Sequence, residues 1–142
     1  MSEVNTTKLI ETLFEISRFM KQEMSYNGNY THLSILQIQT LVFLNQNKNV
    51  SMSDIAGHFH IESPSATSLL NKLNDLKVVK RDEDKKDRRL VIIALTNEGK
   101  MLLKQAMQQR KIKIERILEF LSEKEKIDLL SILETISTKL LK

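Results

Sequence analysis

The chain has 142 residues, 41% of them apolar, and no cysteine. That suits one compact domain plus extra helices, and it excludes disulfides, thiolate metal sites and cysteine redox sensing. Three glycines, one proline and no tryptophan point to a mostly helical chain, and the net charge of +4 is unevenly spread: the first 76 residues hold five cations against seven acids. No apolar run is long enough to cross a bilayer, and Met1-Ser2-Glu3-Val4 lacks the basic-then-apolar signature of a signal peptide, so a cytoplasmic protein with no membrane partner is expected.

Six helices and one hairpin are predicted. Residues 6–24 place Leu9, Leu13, Ile16 and Met20 on one helical stripe, which Asn27-Gly28-Asn29 ends. Ser34 opens a second helix with Gln37 as its capping-box partner, and Ile35, Ile38, Leu41, Val42 and Leu44 run to the polar break at 45–49. Val50-Ser51-Met52 suggests a short edge strand. Ser53 is expected to cap a small helix over 54–59, with Asp54 near its positive end. After the turn His60-Ile61-Glu62, the Ser63 hydroxyl and Pro64 signal a fourth helix over 64–76 that buries Ala66, Leu69, Leu70, Leu73 and Leu76.

The opposite face of that fourth helix carries Ser68 and Asn71, flanked by Ser65, Thr67 and Lys72. A helix exposed only for solubility is usually rich in Glu and Lys. Short hydroxyls and an amide instead allow close approach to base edges: Asn pairs bidentately with adenine, Ser and Thr donate or accept, and a Thr methyl packs on a thymine methyl.

Next comes VVKRDEDKKDRRLVIIALTNEG, residues 78–99. Two β-rich runs, Val78-Val79-Lys80-Arg81 and Leu90-Val91-Ile92-Ile93-Ala94-Leu95, flank a tip bearing Lys85, Lys86, Arg88 and Arg89. Folding does not need four cations on a small hairpin; contact with a polyanion does. Two short helices followed by a basic hairpin give the order of a winged helix-turn-helix. The expected fold class is mainly α with a small β-hairpin wing, and the expected partner is double-stranded DNA. Ser63, Ser65, Thr67, Ser68, Asn71 and Lys72 are the candidate recognition-helix contacts; Arg81, Lys85, Lys86, Asp87, Arg88 and Arg89 are those of the wing. A winged module that binds protein instead is the alternative. Asp87 would repel phosphate if unpaired. Residues two apart share a face on an extended segment, so it is expected to hold and aim Arg89, leaving Arg88, Lys85 and Lys86 for a minor groove or phosphates. Which arginine enters the groove stays open, beside the plainer reading of a solvated charged loop.

Thr96 caps a long helix whose seam is Leu103, Met107, Arg110, Ile114, Ile117 and Leu121. Arg110 sets register, pairs with an acid across helices, or snorkels at the surface. Ser122 and Glu125 form a capping box for a last helix bearing Ile127, Leu130, Leu133, Ile136 and Leu140. These stripes exceed what a small winged domain can cover, so a twofold homodimer is expected. The organisation is then 1–32 and 97–142 for dimerisation around a winged domain at 33–96.

Ile55-Ala56, Ser65-Ala66-Thr67, Leu69, Leu73, Val79-Lys80-Arg81, Asp87-Arg88-Arg89 and Leu95-Thr96-Asn97-Glu98-Gly99 together resemble the multiple-antibiotic-resistance-regulator (MarR) family. Its wing pattern Asp-x-Arg and the following Leu-Thr-x-x-Gly carry the likeness. The resemblance implies a homodimeric regulator of transcription on a palindromic operator, often controlled by a small-molecule effector bound between the dimerisation helices and the winged domain. Two positions depart from the pattern: Ser68 stands where the family commonly has Arg, and Lys77 where it often has Gly. A side chain at 77 resists left-handed backbone, so a different helix exit is expected.

Other chemistry is sparse. His58 and His60, two apart at a helix end, fall on different faces and make a poor metal site. The six methionines read as core fillers. No phosphate loop, nucleophile elbow or paired carboxylates with a histidine appear, so neither catalysis nor a cofactor is expected.

Overall fold

The computed structural model describes residues 5–28 and 31–141. Asn29, the end of the loop expected after the first helix, lies outside them, as does the segment 1–4.

Asn5 accepts the Lys8 amide to open helix α1 (Thr6–Glu23). Its apolar stripe forms as the spacing requires, yet no residue of α1 is buried. A short antiparallel pair that the sequence did not signal follows: β1 (Tyr26–Asn27) against β2 (His32–Leu33). Helix α2 (Ile35–Gln46) starts on the expected box, with Ser34 N–H donating to Gln37 Oε1 (2.8 Å) and Gln37 N–H to Ser34 Oγ (3.2 Å). Its one buried polar residue, Thr40, satisfies its hydroxyl on the Leu36 carbonyl (2.8 Å).

The edge strand β3 (Val50–Ser51) leads directly into α3 (Met52–Phe59), and Ser51, not Ser53, is the cap. The reason is reciprocity. Ser51 lies three residues before Asp54, so hydroxyl and carboxylate each take the other's free amide, at 3.1 and 2.9 Å. Ser53 sits inside the first turn. His60 then turns the chain in left-handed backbone (φ 52°).

Helix α4 (Ser63–Asp75) corrects two expectations. Ser63 is already helical, and the cap position is Glu62, whose side chain makes no capping bond. Pro64 occupies the first turn, where amides need no helical partner. Ala66, Leu69, Leu70 and Leu73 are buried, but Leu76 is 38% exposed because the helix has ended before it.

Lys77 overturns the expected exit. It adopts φ 61°, donates its N–H to the Asn74 carbonyl (2.9 Å), and lets Val78 N–H reach the Leu73 carbonyl (3.2 Å). That is the Schellman arrangement, with buried Val78 packed back toward buried Leu73. The Lys77 carbonyl also accepts the Thr96 hydroxyl (2.6 Å). A side chain in this conformation costs about 1–2 kcal/mol, and two backbone bonds plus the side-chain bond offset it.

Strands β4 (Val79–Glu83) and β5 (Val91–Leu95) form the hairpin, pairing Val79 with Leu95 and Glu83 with Val91; β3 joins the other edge of β5, giving the order β3-β5-β4. The fully buried centre is Leu33, Thr40, Leu41, Ile55, Leu70, Leu73 and Ile93, drawn from β2 through β5. Helix α5 (Asn97–Leu118) adds Leu103 and Ala106 to it. Thr96 Oγ1 caps α5 by accepting the Gly99 amide (3.0 Å), and a Cβ at Gly99 would collide with the Val78 carbonyl. The Leu-Thr-x-x-Gly pattern is thus where the exit of α4 and the start of α5 are tied together.

Farther along α5, Gln109 donates to and accepts from the Asn27 backbone (3.0 and 3.1 Å), Gln105 accepts the Tyr26 hydroxyl (3.2 Å), and Lys113 donates to the Glu23 carbonyl (2.6 Å). Helix α6 (Glu123–Leu140) begins on the expected Ser122–Glu125 box. The Ser122 amide, and after it the Ser122 hydroxyl, hold the Glu125 carboxyl below its ordinary pKa. Like α1, α6 buries nothing. Among the described residues no helix is long and apolar enough to cross a membrane.

Candidate nucleic-acid interface

Burial of Ala66, Leu69, Leu70 and Leu73 turns the other side of α4 outward, and Ser63, Ser65, Thr67, Ser68, Asn71 and Lys72 are all exposed. A shallow depression runs along this face between Ser63 and Asp75. Thr67 donates its hydroxyl proton to the Ser63 carbonyl (3.0 Å), so this exposed hydroxyl keeps only acceptor capacity. Short side chains therefore cover the face, and the backbone can come close to a ligand.

The wing tip, residues 84–90, is a built turn. Asp84 N–H donates to the Leu90 carbonyl (2.9 Å), and the Asp84 carboxylate accepts the Lys86 amide (2.9 Å). Asp87 holds Arg89 as expected, but by a different geometry. The segment is a turn rather than extended chain, and Asp87 Oδ1 accepts both the Arg89 backbone N–H (3.0 Å) and its Nε–H (3.3 Å). The Arg89 side chain is 91% exposed, so this ion pair adds little stability and acts mainly to orient. Among the described residues, Lys85, Lys86 and Arg88 have no carboxylate within ion-pair distance.

Arg81 departs from the expected grouping. It sits on β4 at the base of the wing, and its Nη2 donates to Asn71 Oδ1 on α4 at 2.6 Å. The two sets of site residues are thereby joined into one surface. No spacing rule reveals the bond, because its partners lie ten residues apart on different elements.

The histidines have other work. His58 stacks on Phe43 (centroids 4.2 Å apart, planes 19° apart), and His60 is the turn residue. No cluster of three metal-ligating side chains occurs among the described residues.

A sequence model of the MarR family matches residues 33–90, from the end of β2 to the end of the wing tip. The chain is 32% identical over 114 residues to YfiV of Bacillus subtilis (strain 168), an uncharacterized HTH-type transcriptional regulator, covering 80% of this chain and 66% of that one. The chain belongs to the MarR family. It is a DNA-binding transcriptional regulator with a winged-helix fold. Its fold superimposes with a TM-score of 0.76 on the transcriptional repressor CouR, solved bound to a 23-mer DNA duplex, at 25% identity over 96% of this chain and 99% of that one. FabT of Streptococcus pneumoniae, solved in complex with DNA, shares the fold at a TM-score of 0.80 and 22% identity, covering 97% of this MarR-family chain and all of FabT.

Proposed function

We propose that this protein is a cytoplasmic, non-enzymatic repressor that binds a palindromic operator as a homodimer. In this reading residues 33–96 contact DNA, and 1–32 with 97–142 supply the dimer. Ser63, Ser65, Thr67, Ser68, Asn71 and Lys72 face bases in the major groove. Lys85, Lys86, Arg88 and Arg89 take phosphates and the minor groove, with Asp87 aiming Arg89. The carrying observation is the Arg81–Asn71 bond, which keeps the cationic wing beside the polar face of α4. The uncovered stripes of α1 and α6, with Leu13 64% and Leu130 59% exposed, support the dimer.

An effector has a candidate seat in an open groove of about 720 Å³ between α2, α3 and α5, lined by Val42, Phe43, His58, Phe59 and Arg110. Its aromatic walls and one guanidinium suit a small amphipathic or aromatic anion.

Selection of full-length protein on a random duplex pool tests the reading. A palindromic consensus, with affinity falling steeply as salt rises, is the expected outcome. Arg89→Ala should weaken binding to every duplex and lower the salt slope by roughly one unit per lost phosphate contact. Recovery of no preferred sequence would favour a winged module that binds protein through the same surface.

A further inference from the structure

We propose that Arg81 and Asn71 act as one unit that reads guanine in the major groove. This rests on the DNA-binding reading above and changes what Asn71 recognises. Arginine carries only donors, so the Asn71 amide must turn its oxygen toward the guanidinium, and the 2.6 Å separation marks a strong charge-assisted bond. The Asn71 NH₂ is left pointing away from that bond. Arg81 keeps further N–H groups with no carboxylate within ion-pair distance among the described residues, and both side chains are exposed. The pair therefore presents donors.

A donor edge selects its base. Asparagine pairs bidentately with adenine by accepting from the N6 amino group while donating to N7. Here that amino group would meet an oxygen already facing a full positive charge, so two donors, one cationic, would compete for one acceptor. Guanine offers O6 and N7, both acceptors, and fits the edge without conflict. A phosphate would also accept these donors, but the depression that Asn71 lines balances one cation, Lys72, against one acid, Asp75, and has no net pull on it. Position points the same way: Asn71 lines the exposed face of α4, while the wing-tip cations lie beyond β4.

The test uses the full-length protein and the operator it selects. Each guanine of a half-site is replaced singly by 7-deazaguanine, which removes the N7 acceptor and keeps base pairing. The expected result is one guanine per half-site at which this change weakens wild-type binding about tenfold or more. Arg81→Ala and Asn71→Ala should each abolish that discrimination, and the double variant should lose no more than the worse single one. Arg81→Lys, which keeps the charge but not the planar fork, should recover part of the affinity for random duplex and none of the discrimination. Both side chains are exposed, and unchanged thermal midpoints would show that the variants fold.

Two results would overturn the proposal with DNA reading intact. One is an equal loss for Arg81→Ala on operator and random duplex with a salt slope lower by about one, the mark of a phosphate contact. The other is an adenine preference that disappears in Asn71→Ala and persists in Arg81→Ala. Selection of no sequence at all by the wild-type protein would overturn the pair together with the reading on which it rests.

Discussion

The winged half and the terminal helices begin from equally good local signals and end differently. Helix α2 opens on the Ser34–Gln37 box and α6 on the Ser122–Glu125 box, with matching bond lengths. Yet α2 buries Ile38, Thr40, Leu41 and Leu44, while α1 and α6 bury nothing. A cap decides where a helix starts. What covers its apolar stripe is a tertiary question, and within one chain only the winged half has an answer. In the proposed dimer the terminal stripes form half of an interface, so their stability should depend on concentration in a way the winged core does not.

Three substitutions would break or sharpen that contrast. Gly99→Val should have the largest effect, because its side chain meets the Val78 carbonyl where α4 and α5 are joined. A loss of about 3 kcal/mol or more in denaturant unfolding is expected, whatever the protein concentration. Little or no loss would mean that the winged half is looser than its burial indicates. Leu133→Glu comes next: 53% exposed in the single chain, it should cost about 1.5–3 kcal/mol of dimer stability, read as a shift toward monomer in sedimentation at micromolar concentration. Wild-type protein sedimenting as a folded monomer would remove the contrast. Smallest is Lys77→Gly, which relieves left-handed backbone and should raise unfolding stability by about 1 kcal/mol. A drop there would show that the Lys77 side chain contributes something its backbone does not reveal.

Legibility in the sequence followed the range of each interaction. Apolar spacing located five of the six helices and cap chemistry the short α3, and Ser34, Thr96 and Ser122 were found as caps because their partners lie three residues away. The wing and the Asp87–Arg89 pair were legible for the same reason, though the turn geometry was not. Ser51 lost to Ser53 although its three-residue spacing to Asp54 is that of a capping box, because Asp54 was read as a charge at the helix start and not as the partner of the cap. Two-residue strands such as Tyr26–Asn27 are too short to show alternation. Lys77 hid a left-handed exit because its residue type argues against one, and the cost is met by bonds to Leu73, Asn74 and Thr96. In the candidate interface, residue type and helical face marked the α4 side chains. The bond between Asn71 and Arg81 depends on how β4 lies against α4, which no local pattern encodes.

Gln109 has a consequence for solubility. By donating to the Asn27 carbonyl and accepting its amide, the side-chain amide of one helical residue imitates a neighbouring strand. The β1–β2 ribbon is short, and its outer edge would otherwise offer unpaired backbone groups to any passing extended chain. With Gln109 seated there, that edge is closed from within, and the molecule guards against strand-to-strand aggregation with a glutamine rather than with a charge or a proline.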